Sequence, residues 1–234
     1  MIDLVAVVIS IVLILVYHFF LSWRQQRDPL HTVHAVNIAA RNAWVDMVMS
    51  SDKPDVLAVQ TLRNSVMASS FMASTAILLL VGTATLVGSG ENTSSIVHAL
   101  NVSGEKTDAI IAWKLVALLS DFFIAFFCFS MAVRFYNHVG YMISIPAARN
   151  SSATSPALTV AYLNRAGFYY LLGLRSFFYS VPLVFWMFGP EFMVTATIVL
   201  ICAMYPLDRS PKSMIPRAQV LGGADAREAR ITKP

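Results

Sequence analysis

Of the ionisable side chains within apolar stretches of the chain, Asp121 and Arg175 come first as candidates for chemistry. A charge within hydrocarbon is expensive unless it is paired or hydrated, so such residues mark ion or proton paths or buried pairs. Asp121 lies about eight residues from Trp113 and Arg175 about seven from Phe168, so at 1.5 Å per helical residue their depths differ by roughly 10 Å. A direct Asp121–Arg175 pair is compatible with an extended arginine but is not required. The plainer reading has Arg175 reaching along its apolar stem to the interface while Asp121 accepts hydrogen bonds from neighbouring Ser or Tyr hydroxyls.

Histidines form the second constellation. His18, His31, His34 and His138 gather toward one side of the apolar stretches. Imidazoles from different helices at one depth can hold haem or a transition metal, which makes His18 and His138 the candidate ligands. However, the pair in HTVH (His31, His34) has no acidic or cysteine ligand nearby, and interfacial histidine commonly serves as a hydrogen-bonding group, so no cofactor is expected. Cys128 and Cys202 both sit in apolar stretches and read as small hydrophobes, with no disulfide framework and no CxxC pair. The chain holds no Ser/His/Asp set, Walker loop or GxGxxG, so no catalytic constellation argues for an enzyme.

The elements that must position these residues are five apolar stretches: Ile2 to Leu21, Met67 to Val87, Ile110 to Phe135, Phe168 to Phe188 and Phe192 to Tyr205. With 57% hydrophobic and 13% charged residues, the composition departs from that of soluble domains. Counting Arg134, at the very end of the third stretch, with the connection it adjoins, the Lys and Arg residues of the gaps number five, one, three and none in chain order, with six in the tail. Segments rich in Lys and Arg stay cytoplasmic, which predicts an N-terminus outside and a C-terminus inside. The first stretch lacks a basic leader region and a clear cleavage site, and Trp23, Arg24 and Arg27 follow it as an anchor, so it reads as a retained helix. Basic residues beside membrane ends suit anionic headgroups rather than nucleic acid.

Between the first two stretches, Val33, Val36, Ile38, Ala40, Trp44, Val45, Val48 and Met49 recur at helical spacing and predict an amphipathic helix along the inner surface or beneath the bundle. A helix beginning near Pro54 should run through Arg63 into the second stretch. There Ser65, Ser69 and Ala73 stand four apart, as do Ser70 and Ser74, making two small-residue ridges suited to close helix packing. A polar conduit lined by those hydroxyls is the functional alternative. Pro182 should kink the fourth helix, Gly189–Pro190 should fold the last two into a tight hairpin, and the fifth span should be short. Sequons occur at Asn92 and Asn101 in an acidic outer connection.

The runs RNSVMASSFMASTAI (63–77), RFYNHV (134–139) and LNRAGFYYLLGLRSFFYSVPLVFWMFGP (163–190) resemble the bacterial and plant membrane family known as domain of unknown function 599, over roughly residues 1–208. That resemblance implies a multi-helix membrane protein and no activity.

The expectation is therefore an all-α integral membrane helix bundle at 1–208, with five spans, an amphipathic cytoplasmic-side helix and a flexible basic tail at 209–234, in a bacterial inner membrane. Its favoured role is a structural or accessory subunit that packs with other membrane proteins or with itself. A small ion or solute transporter using Asp121 and Arg175 is the alternative, and a haem- or metal-binding redox subunit the third.

Overall fold

The computed structural model describes residues 2–27, 32–51, 56–89, 101–103, 107–145 and 155–209. Within these, six helices run in order: α1 Ile2–Arg27, α2 Val33–Met49, α3 Val56–Gly88, α4 Asp108–Met142, α5 Pro156–Trp186 and α6 Pro190–Asp208. All except α2 are long and apolar enough to cross a membrane. The chain is a multi-pass membrane protein, all-helical in its regular structure over the described residues.

Burial in α1 runs opposite to that of a soluble helix. It hides Asp3, Ala6, Ser10, Tyr17 and Leu21 and turns Leu4, Val8, Val12, Leu15 and Phe19 outward. Apolar side chains outside and small or polar ones inside suit a lipid surround, where burying apolar area between helices brings no hydrophobic gain and close contact must come from small residues and hydrogen bonds. In α3 the buried positions Leu62, Ser69, Ala76 and Thr83 repeat every seven residues, a seam that meets α4. Its hydroxyls bond their own backbone four residues back: Ser65 to the Thr61 carbonyl, Ser69 to Ser65 and Thr83 to Leu79. Each hydroxyl donates within its own helix, and Ser65 also borders the cavity described below.

The bundle centre is the α4–α5 pair, with α3 on one side and α6 continuing from α5. Phe129 is fully buried with its ring against Gly173, where a Cβ would come within 2.8 Å of it. The α5–α6 turn needs Gly189 at φ 152°, a conformation other residues rarely adopt, and Val102 N–H bonds the Phe188 carbonyl across it. α1 lies along α6.

Several boundaries differ from the sequence expectation. α4 runs seven residues past Phe135 and α5 starts twelve before Phe168. Hydropathy marks only the lipid-facing part of each helix, and the extensions continue because Tyr136, Val139, Leu163 and Ala166 bury against Val45, Val48 and Met49 of α2. Arg134 and Arg165, expected in a connection, are thus helical. α6 spans 19 residues, longer than expected, because Pro206 sits in its last turn without ending it. Asn101 is 2% exposed, so its sequon is inaccessible. His31, Asn92, the expected helix start near Pro54 and the tail beyond Arg209 lie outside the described residues.

Candidate functional site

One end of the bundle is basic: Arg24 and Arg27 on α1, Arg41 on α2, Arg63 on α3, Arg134 on α4, Arg165 on α5 and Arg209 after α6. There α2 is capped by its own N-cap residue and moored to the bundle at two places. Thr32 Oγ1 accepts the Ala35 N–H as the helix cap, Thr32 also pairs with Arg209, and Asn164 Nδ2 of α5 donates to Asn42 Oδ1 at 2.9 Å. Thus held, α2 forms one wall of a half-open cavity of about 700 Å³, with α3, Tyr136 of α4, α5 and α6 as the others. That volume falls in the range of small-molecule sites.

Most of the cavity wall is apolar, with Trp44, Leu62, Leu171, Phe178 and Met204 among its residues, and two guanidinium groups enter it, Arg41 and Arg175. Arg41 Nε donates to the Asn37 carbonyl at 3.0 Å, which aims the fork across α5. Its Nη1 lies over Gly167, on the spot any Cβ there would occupy. Arg175 is largely buried; Nη2 donates to both oxygens of Asp208 at 3.3 Å, and Nε is buried with no hydrogen-bond partner. The Asp208 carboxylate is already shared, because Tyr17 Oη donates to Oδ2 at 2.6 Å. His34 reports the resulting field: burial first, then the charges of Arg41 and Arg175, hold its imidazole below the ordinary histidine proton affinity, against a smaller opposing pull from Asp208. Burial likewise lowers that of Arg41, which stays charged at any physiological pH.

Above Arg175 stands His18. Its Nδ1 lies 2.9 Å from the Ile14 carbonyl, an obligate acceptor, so the ring carries a hydrogen there and offers the Nε2 lone pair to Arg175 Nη1 at 2.9 Å and Tyr179 Oη at 3.1 Å. Both ring nitrogens are thus engaged within the protein. His138 lies elsewhere, edge-on to the Tyr162 ring with centroids 4.5 Å apart. Among the described residues no group of three or more His, Cys, Asp or Glu side chains has metal-site geometry.

Asp121 is not part of this cluster. Its Oδ1 accepts from Ser176 Oγ at 2.7 Å, as does its own carbonyl at 3.0 Å. Since Ser176 adjoins Arg175, Asp121 and Arg175 sit at nearly one depth and face different helices; the 10 Å offset from the sequence fails because the helices outrun their apolar stretches. Of the small residues on α3, Ser69 is buried, Ser65 and Ala73 are half-buried, and Ser70 and Ser74 are exposed on the side away from the seam.

A second polar cluster escapes the sequence-derived candidates. At the far end, Lys114 of α4, fully buried, lies 3.3 Å from Asp3 Oδ1 of α1, and Trp186 Nε1 of α5 donates to that oxygen at 2.8 Å. Lys114 lies four residues inside the third apolar stretch, the same signal that singles out Asp121. Arg41, Tyr17, Tyr179 and Asp208 carry no comparable mark.

Residues 5–213 match the family described as "Protein of unknown function, DUF599". No curated protein and no solved structure matches.

Proposed function

We propose that this chain, which belongs to the DUF599 family, is a membrane-embedded binding protein for an amphiphilic oxyanion, held between α2, α3, α5 and α6. The observation that carries this reading is the cavity beneath Arg41, with apolar walls, two guanidinium groups and one carboxylate already engaged by Tyr17 and Arg175. A guanidinium fork matches a sulfonate, phosphate or carboxylate head, and the apolar wall suits an alkyl body. The buried Arg175 Nε is a further donor for such a ligand.

In this reading the basic end faces the cytoplasm, with the N-terminus outside and the C-terminus inside, as in a bacterial inner membrane. The cavity then opens at the inner leaflet, whose anionic headgroups present oxyanions at that depth.

The test is Gly167→Ala with decanesulfonate as probe, in neutral maltoside detergent, by equilibrium dialysis. A methyl group at 167 displaces Arg41 while favouring the helix by up to about 1 kcal/mol, so binding should weaken while thermal stability holds or rises. Unchanged binding overturns the assignment.

A second reading, the accessory subunit, draws on Ser70 and Ser74, exposed on the α3 face turned away from α4. Those positions leave room for a helix of another membrane protein or of a second copy.

A further inference from the structure

A second cavity, of about 630 Å³, lies toward the far end between α1, α4, α5 and α6. Its residues include Asp3, Ser10, Ile14, Tyr179, Pro182 and Trp186. The Ser10 hydroxyl is buried with no partner and lines this space, an unsatisfied polar group of the kind a permeating ligand or water would serve.

The two cavities meet at one layer of side chains. Tyr179 lines the outer one, and Arg175, one helical turn earlier on α5, lines the inner one. His18 Nε2 bonds both, and Tyr17 and Asp208 back it from α1 and α6. Along α1 the outer cluster at Asp3 and this layer at His18 are 15 residues apart, roughly 22 Å, most of a bilayer's hydrocarbon thickness of about 30 Å.

Pro182 sits on the wall of the outer cavity and has no N–H for the carbonyl of Phe178, which lines the inner one. The weakened turn of α5 therefore coincides with the layer that divides the cavities.

From this arrangement we propose that the two cavities are halves of one permeation path for an amphiphilic oxyanion, closed in this conformation by Tyr179, His18 and Arg175. The proposal rests on the binding reading above and adds passage to it. An anion in the inner cavity competes with Asp208 for Arg175. When the guanidinium turns to the ligand, His18 loses that donor and the layer opens toward Ser10. Asp121, hydrogen-bonded to Ser176 on another face of α5, is off this path.

The test uses the full chain in proteoliposomes of a neutral lipid. One arm measures transfer of decanesulfonate, whose permanent charge prevents crossing as a neutral acid, and the other measures flipping of a fluorescently tagged phosphatidylglycerol. The arms separate a free amphiphile from a lipid as the source of the oxyanion, and protein-dependent transfer in either supports the path. Ser10→Trp, which fills the outer cavity, should lose transfer while keeping decanesulfonate binding. Tyr179→Phe, which removes one hydroxyl from the closing layer, should raise transfer and guards against a folding failure in the first variant. Binding without transfer of either probe overturns the path alone, as does native-rate transfer in Ser10→Trp. Absence of binding by the native protein overturns the ligand assignment and the path with it.

Discussion

Replacing Asp3 with Leu should destabilise the protein more than any surface change, because it strands the charge of Lys114. The Lys114 side chain is 0% exposed and that of Asp3 only 6%. An exposed ion pair contributes about 0 to 1 kcal/mol, whereas breaking a buried one costs about 3 to 5 kcal/mol through the uncompensated charge left behind. Trp186 loses its acceptor at the same time, adding about 1 to 3 kcal/mol if its N–H stays unpaired. At about 2 to 4 °C per kcal/mol for a chain of this size, the pair alone sets a fall of roughly 6 to 20 °C in Tm. The assay is thermal loss of the monodisperse peak in maltoside detergent. The Asp3→Leu, Lys114→Met double variant should recover most of the loss, since apolar replacement of a whole buried pair is often neutral or stabilising by about 1 to 4 kcal/mol. An Asp3→Leu variant within about 2 °C of native, or a double variant no better than the single, would show that Asp3 does not compensate a buried Lys114 charge.

Three further outcomes follow from the same geometry. His34 binds its proton less tightly in the folded chain than its ordinary value of about 6.5, so the unfolded chain takes up the proton first as pH falls. Stability should therefore drop on acidification below about that value, and Arg41→Gln should move the NMR titration of His34 upward; no movement would separate His34 from the cavity field. Ser176→Ala leaves the buried Asp121 carboxyl without its hydroxyl donor and should cost about 1 to 3 kcal/mol by thermal unfolding, with Ser176→Thr milder. On α3, Ser69→Leu should lower stability because Ser69 is fully buried in the seam, while Ser74→Leu should insert and fold normally; a change of particle mass in Ser74→Leu would identify that face as an association surface.

The five membrane helices were legible because lipid-facing segments must be apolar throughout, and runs such as IDLVAVVISIVLIL leave no other reading. Their ends were not. Hydropathy stops at Phe135, whereas α4 continues to Met142 because Tyr136, Val139 and Met142 are buried, a tertiary fact absent from the local pattern. Arg175 was legible as a charge in an apolar run, but its partner was not. Asp208 closes the last helix and reads locally as a terminus, yet it meets Arg175 across 33 residues and Tyr17 across 191. Arg41 illustrates the same limit, since its place over Gly167 depends on where α2 docks. Lys114 was legible by the rule that marks Asp121, and the residue it meets, Asp3, looks from sequence like an ordinary first-turn acid.

The most direct test of the binding claim is a titration of Trp44 fluorescence, isolated by subtracting the Trp44→Phe variant, with decanesulfonate and with decanol. The sulfonate should bind saturably and the neutral alcohol far more weakly, and Arg41→Gln should lose about 10- to 150-fold in sulfonate affinity, the equivalent of about 1.5 to 3 kcal/mol for hydrogen bonds to a charged group. Equal affinity for decanol and decanesulfonate, or native affinity in Arg41→Gln, would contradict the binding claim.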